Sequence, residues 1–555
     1  MFSLLPAAML AASAHLQGPT SKIGINAPKL VVLISVDQFR GDYVERFFPY
    51  FLPARSGGKL GGFKFLMETG AHFRNAMHNH LPTATGPGHA TLMSGSEPAY
   101  DGIVNNDWFD RATGKSTYCV DDASVQVVGG TGTGPSMSPR NLIVTTVGDE
   151  LKMATNGRSK VVGVAIKDRA AILMAGHAAD TVIWYQPASG SWVTSSWYAP
   201  SHQLPGWVQA LDATRPVDKF AGKVWEPLLS NDAYDLSRKS PFEKASSNAK
   251  TFSHPMDASP GSALYSGMAT SQYGNEVTFA AVERAIDAEK LGQHDVPDVL
   301  VVNLSTNDYV GHRYGPNSPE VMDITVRTDR LLSDLLNHLQ QVVPGGIDNV
   351  AMVLTGDHGV NPIPEESNDV YKTGAVRGVE AGALSAVSKA LNAKFGEGKW
   401  ILGGELFEQN LYLNRELAVE KGLKMADVEQ VAADAAASAP GIFGAFTRTQ
   451  IMNNGLPSFP FRDRILNGFN TRRGGDVMVL QAPGNLFEGG SGTDHGAVWD
   501  YDAHVPILIR ARGIKPGNYL NRVYTSGIAP TLCRLLGIES PSGNVGVPLV
   551  DTIGR

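Results

Sequence analysis

Apolar residues in this chain gather in short continuous runs separated by polar, glycine-rich segments. Runs at residues 30–36, 160–166, 299–304, 349–354 and 505–510 have the length and Val/Ile/Leu content of strands buried on both faces, and they are read as parallel. Between some of them, residues 274–290 and 323–343 repeat apolar positions every three or four residues, which predicts helices. Strands alternating with helices predict an α/β fold with a doubly wound, mostly parallel sheet. Two stretches break the rhythm. Residues 180–260 are rich in Trp, Ser and Pro, with β-like segments at 181–186 and 191–198. Residues 361–483 carry amphipathic helices at 382–395 and 425–437 and a strand at 476–481. Both are expected as insertions into one large domain spanning residues 15–555.

Composition narrows the class. A chain of 555 residues with 43% hydrophobic and 18% charged residues buries a large core, which excludes global disorder. Forty-seven basic against fifty-four acidic side chains give a net charge of −7, the wrong sign for a protein that coats nucleic acid. Two cysteines exclude a disulfide scaffold and an all-thiolate metal site; Cys119 and Cys533 could be bridged or remain two buried thiols. Residues 1–14 have an apolar stretch ending in Ala12-Ser13-Ala14, the pattern of a secretion signal, so a secreted, periplasmic protein is expected. No apolar run reaches the ~20 residues needed to span a membrane.

The candidate chemistry lies where the strands end. Residues 30–36 run into Asp37, 299–304 into Asp308 and His312, 349–354 into Asp357-His358, and Asp494-His495 precede 505–510. In an open α/β sheet, ligands collect beyond the carboxyl ends of the strands. One strand-end Asp is ordinarily a helix cap or turn residue, but repeated Asp and His on one edge point to metal. Asp308 and His312, four apart, share a face if that segment is helical. Mixed carboxylate and imidazole ligands favour zinc, and six of them suit two ions about 4 Å apart. The stretch Pro82-Thr83-Ala84-Thr85-Gly86-Pro87-Gly88-His89 puts a Thr at the mouth of a helix, where it serves either as a cap or as an activated nucleophile. Lys167 and Arg169 read alone as a solvated pair. On a continuing strand, however, they would point the same way and offer cationic donors to a monoester's three non-bridging oxygens.

These residues fall within a set of motifs: Val36-Asp37-Gln38, Pro82 to His89, Gly102-Ile103-Val104-Asn105-Asn106-Asp107-Trp108, Lys167-Asp168-Arg169, Asp308-Tyr309-Val310-Gly311-His312, Gly356-Asp357-His358-Gly359 and Asp494-His495-Gly496. With them the chain resembles the alkaline phosphatase superfamily in its type I phosphodiesterase and nucleotide pyrophosphatase branch. Within that branch it is most similar to the phosphate-irrepressible (PafA-type) bacterial alkaline phosphatases. The resemblance implies hydrolysis of phosphate monoesters through a phosphothreonine on Thr85, with two Zn2+ per chain. It implies one zinc held by Asp37, Thr85, Asp357 and His358, and a second by Asp308, His312 and His495. Asn106, Lys167 and Arg169 would then bind the phosphoryl oxygens. Asn105, Asp168 and His89 are read as supporting residues, His78, His80 and His177 as structural histidines, and the Trp184 to Trp197 stretch as packing. The expected partners are small phosphate esters, met by a monomer.

Two other functions compete. A phosphodiesterase would use the same metals and Thr85, and Lys167 and Arg169 argue against it. A metal-stabilised binding protein without catalysis is disfavoured by the intact nucleophile and ligand set. A sulfatase would need a Cys-x-Pro-x-Arg motif, and none lies near Thr85.

Overall fold

The computed structural model describes residues 23–24, 26–234, 252–406 and 408–549. At its centre five parallel strands lie side by side in the order Val350–Thr355, Leu30–Val36, Asp298–Leu304, Val161–Ala165, Thr181–Gln186. Their residues alternate between two cores. Leu30, Val32 and Ile34 join one apolar cluster with Leu300, Val302, Val162 and Leu354, while Val31 and Leu33 join another with Val299, Val301, Val161 and Val353. That two-sided burial is why each strand reads as an unbroken apolar run. Helices Tyr273–Ala288 and Pro319–Val342 cover the first face. Helices Thr85–Ser94 and Asp168–Ala175 cover the second, so the sheet is doubly wound.

The sheet continues beyond its parallel centre to eleven strands among the described residues. On one side, His504–Arg510 pairs antiparallel with Val350–Thr355, and Ala71–Met77 pairs antiparallel with it in turn. The expectation that 505–510 runs parallel is therefore corrected. A run buried on both faces carries the same apolar signature in either direction, and only the connections set its sense. Ala71–Met77 escaped notice because His72, Arg74 and Asn75 interrupt its apolar pattern. On the other side, Thr181–Gln186 and Ser191–Ser195 extend the central sheet, with Ser191–Ser195 pairing antiparallel. The departure expected from about residue 180 thus begins only after Ser195. Trp192 and Trp184 pack into opposite cores, while Trp197 is more exposed and donates to the His177 carbonyl.

Residues 361–483 build a smaller layer. Asn410–Leu411, Val477–Gln481 and Ile442–Thr447 form a three-stranded antiparallel sheet, packed with helices Val379–Phe395 and Met425–Ala437 around their own apolar cluster. Cys119 and Cys533 are free and buried. The expected leader at residues 1–14 lies outside the described residues.

Candidate active site

Thr85 is the first residue of helix Thr85–Ser94, and the cap position is Ala84, which makes no side-chain cap hydrogen bond. The Thr85 hydroxyl is thus not consumed in capping. It lies buried, 3.3 Å from Lys167 Nζ, 3.2 Å from Arg169 Nη2 and 3.5 Å from His358 Nε2. Lys167 and Arg169 reach it by a route the sequence reading did not foresee. The strand ends at Ala165; Lys167 is the extended cap of helix Asp168–Ala175, and Arg169 lies in its first turn. A turn, not a shared strand face, converges the two cations. Asp168 does not simply face away, for it accepts from Tyr118 Oη at 2.6 Å, and that hydroxyl accepts from Arg169 Nη1 at 3.1 Å. Asn106 Oδ1 accepts from the Gly86 amide at 2.8 Å, which fixes the side-chain amide by its oxygen. Asn105 Oδ1 accepts from the Asn106 amide at 2.7 Å and braces it.

The carboxylates and histidines converge beside Thr85. Asp308, His312 and His495 form one set whose ligand atoms lie within 4.8 Å of one another; Asp37, Asp308 and His358 form a second, and Asp37, His89 and Asp357 a third. Helix Thr306–Tyr314 carries Asp308 and His312 on one face, with Nε2 to Oδ1 at 3.1 Å. His358 Nε2 lies 3.3 Å from Asp357 Oδ2 and 3.6 Å from Asp37 Oδ1. His495 Nε2 lies 3.7 Å from Asp308 Oδ1, and its ring stacks on that of His358 with centroids 3.7 Å apart.

The tautomers decide what this arrangement can hold. Nδ1 of His358, His312 and His495 sits 2.8, 2.8 and 2.9 Å from the carbonyl oxygens of Gly359, Thr493 and Thr83. A carbonyl only accepts, so each Nδ1 carries the proton and each Nε2 presents a lone pair toward carboxylate oxygens. At His358 and His495, whose rings burial keeps neutral, acceptor then faces acceptor, and a cation reconciles them. The chemistry of the donors suits a divalent metal: Asp308, His312 and His495 come together as expected, whereas Asp37 groups with Asp308 and His358 in one set and with His89 and Asp357 in another. His89 differs. Its Nδ1 lies 2.8 Å from the Thr85 carbonyl, and its Nε2 accepts from Asn303 Nδ2 at 2.9 Å. Both ring nitrogens are engaged, so His89 braces the Thr85 turn.

Crowding shifts these groups in opposite directions. Burial, with the neighbouring Asp37 charge, pushes Asp357 well above the usual carboxylate range, and burial likewise raises Asp37 against the pull of Lys167. Burial opposes the charge on Asp308 too, but His312 and Lys167 outweigh it and hold that carboxyl well below its ordinary value. Burial keeps His358 and His495 well below theirs. Burial also works against a charged His312, yet Asp308 raises it to about 10. The Lys167 ammonium lies between the sets, 2.6 Å from Asp308 Oδ2 and 3.1 Å from Asp37 Oδ1.

Two supporting residues had no role assigned from sequence. Gln38, in the left-handed region at φ 59°, donates its amide N–H to Asp357 Oδ1 at 3.0 Å and its Nε2 to Asp308 Oδ1 at 2.8 Å, tying the sets together. Asn303 donates to Asp37 Oδ2 at 3.2 Å and accepts from Ser305 Oγ. A lone amide in the apolar run Val301-Val302-Asn303-Leu304 was the available signal. His78 donates and accepts in structural bonds to Gly356 O and Thr525 Oγ1, His80 pairs with Glu97 at 2.7 Å, and His177 bonds Leu142 O and Asp149.

Comparison with known proteins gives consistent matches. The family model described as type I phosphodiesterase / nucleotide pyrophosphatase matches residues 31–505. The alkaline phosphatase PhoV of Synechococcus elongatus is 38% identical over 532 residues, covering 95% of this chain and 93% of that protein. The alkaline phosphatase PafA of Elizabethkingia meningoseptica is 35% identical over 539 residues, covering 95% of each. The crystal structure of wild-type alkaline phosphatase PafA superposes with a TM-score of 0.85 at 33% identity, covering 96% of this chain and 100% of that one.

Proposed function

We propose, for a chain that belongs to the type I phosphodiesterase / nucleotide pyrophosphatase family, that Thr85 is the residue phosphorylated in turnover. Within the family the chain is an alkaline phosphatase, a phosphoric monoester hydrolase that depends on divalent metal. In the finer reading two zinc ions are held, one by Asp37, Thr85, Asp357 and His358, the other by Asp308, His312 and His495. When bound, the ions supply Lewis acidity at the entering and leaving oxygens. The observation that carries the reading is the convergence of Lys167 and Arg169 on Thr85 Oγ1 at 3.3 and 3.2 Å.

The chain's own groups account for the rest. Lys167 and Arg169 favour the ionised Thr85 oxygen and can then donate to the phosphoryl oxygens, where one lost donor typically costs about 3 kcal/mol. The Asn106 amide nitrogen adds a third donor, oriented because its oxygen is held by Gly86. Tyr118 and Asp168 hold Arg169 in place. Three cationic or amide donors match the higher charge of a monoester better than that of a diester. The protein is further read as a secreted, periplasmic monomer acting on small phosphate esters. Among the described residues no helix is long and apolar enough to cross a membrane.

The test compares kcat/KM for p-nitrophenyl phosphate and bis(p-nitrophenyl) phosphate, with metal analysis alongside. Monoester preference and two zinc per chain are expected; a clear diester preference overturns the reading. Thr85→Ala should retain metal and lose turnover, and unchanged activity would remove Thr85 from the reaction.

A further inference from the structure

Asn106 and Tyr118 stand at the two ends of one β-ribbon, Asp107–Asp110 paired antiparallel with Lys115–Tyr118. Asp107 and Tyr118 lie opposite one another, and the Cys119 amide donates to the Asn106 carbonyl at 2.8 Å, so the ribbon closes at the site. One end presents the Asn106 side chain, the other the Tyr118 hydroxyl that accepts from Arg169. Among the described residues the ribbon pairs with no other strand. A lone two-stranded ribbon is marginal in water, so the end at the site is only as well placed as its outer anchors.

Those anchors come from the smaller layer, residues 361–483. Ahead of the ribbon, Arg473 Nη1 donates to the carbonyls of Gly102 and Asn141 at 2.6 and 2.7 Å, and the guanidinium carbon lies 4.8 Å from the centroid of the Trp108 ring. Just past Asp110, Arg111 donates through Nη2 to Asp476 Oδ2 and through Nη1 to the Leu413 carbonyl at 3.2 Å. Asp476 is fully buried; Arg415 donates to its Oδ1 at 2.9 and 2.6 Å, and the Leu413 amide donates to its Oδ2 at 2.7 Å. The Tyr412 hydroxyl donates to the Arg473 carbonyl at 2.6 Å, and the same ring lies 5.1 Å from the Arg111 guanidinium and 5.8 Å from the Phe109 ring. In such a network no member moves without leaving a buried charge or carbonyl unpaired.

We propose that Arg473 and Asp476 are positioning residues of the reaction. Through them the smaller layer holds the ribbon from outside, so that Asn106 and, by way of Tyr118, Arg169 meet the phosphoryl group. This rests on the reading of Asn106 and Arg169 as phosphoryl donors.

The test measures kcat/KM for p-nitrophenyl phosphate with the metal-loaded full chain carrying Arg473→Met or Arg111→Met. Each is made in the wild type and in an Asn106→Ala, Tyr118→Phe background. Arg111→Met cuts the tie to Asp476 from the ribbon's side and keeps the Asp476–Arg415 pair, so it releases the ribbon without dismantling the layer. In the wild type each variant should lower kcat/KM about tenfold, which needs a displacement well under the ~1 Å that costs about 100-fold. In the background, where the positioned groups are gone, the loss should shrink to about twofold or less. A variant that merely lowered the amount of folded enzyme would lose activity equally in both. Arg473→Lys, which keeps a donor for the two carbonyls, should restore most of the rate. A loss of the same size in both backgrounds, or none in either, overturns the proposal. If Asn106→Ala with Tyr118→Phe by itself leaves kcat/KM unchanged, the reading of the phosphoryl donors fails instead.

Discussion

Gly88→Ala is the substitution for which steric arithmetic and helix propensity make opposite forecasts. Gly88 lies in helix Thr85–Ser94, three residues after Thr85, and it is not among the residues of positive φ. On propensity alone, alanine there would stabilise the helix by about 1 kcal/mol. The added Cβ, however, would sit 2.2 Å from the Asp357 carbonyl oxygen and 2.9 Å from Asp357 Cβ. Ordinary contact needs roughly 3.5 Å, so the helix or Asp357 must move by about 1 Å. The helix is buried along its whole length and packs on Asp168–Ala175, which leaves it little room to retreat. Overpacking of this kind costs about 1–3 kcal/mol, so after the helix-propensity gain of about 1 kcal/mol the net loss of stability is about 0–2 kcal/mol. A 1 Å misplacement of reacting groups costs on the order of 100-fold in rate. Activity should therefore collapse while the fold survives. Gly382→Ala is the matched control, a helical glycine in Val379–Phe395 whose Cβ would meet nothing within 4 Å. It should gain about 0.5–1 kcal/mol and keep full activity. The assay pairs kcat/KM and bound-metal content with urea unfolding for both variants. If Gly88→Ala keeps activity within twofold, the close approach of this helix to Asp357 does not set the geometry of the site.

Chelation should lower the unfolding midpoint and raise its dependence on free metal, because a ligand bound only by the folded state stabilises by RT ln(1 + [L]/Kd); a midpoint indifferent to EDTA would contradict the acceptor-against-acceptor argument. Tyr118→Phe removes the hydroxyl that bridges Arg169 and Asp168, and kcat/KM for p-nitrophenyl phosphate should fall about tenfold with stability nearly unchanged; no loss would mean that Arg169 needs no brace. Burial raises Glu97 to about 8 against an ordinary 4.5, a Ser526 hydrogen bond only partly offsetting it. A raised folded pKa contributes stability that is fully present below about 4.5 and lost as pH rises through about 8. Glu97→Gln should flatten the fall in stability between those values, measured by urea unfolding at several pH values, and an unchanged profile would exclude Glu97 as its source.

Much of the fold and site was legible in the sequence because burial on both faces is itself a pattern. The runs at 30–36, 299–304 and 349–354 exposed both the central strands and the strand-end residues Asp37, Asp308 and Asp357. What stayed hidden was information that resides in contacts. Lys167 and Arg169 do meet at Thr85, but by a helix-capping turn and not by the assumed strand, which ends at Ala165. Asn303 sat in plain view as an amide in an apolar strand, yet its bonds to Asp37 and His89 depend on a helix from residues 85–94 passing across that strand. Gln38 needed a backbone conformation, φ 59°, that no side-chain pattern announces.

The antiparallel sense of His504–Arg510 shows how an error about topology bears on chemistry. His495 stands before that strand, so a parallel strand would deliver it to the edge of the sheet opposite Asp37, Asp308 and Asp357. Running antiparallel, the strand begins at the edge where its neighbours end, since Thr355, the last residue of Val350–Thr355, pairs with Ile507. The loop before it is thereby carried to the Asp and His cluster, where His495 Nδ1 bonds the Thr83 carbonyl two residues from Thr85. One reversed strand thus brings a histidine to the cluster. The chain's net charge of −7 has no need of a basic surface to bind phosphate. The positive field is local, built from Lys167 and Arg169 and, when bound, divalent metal.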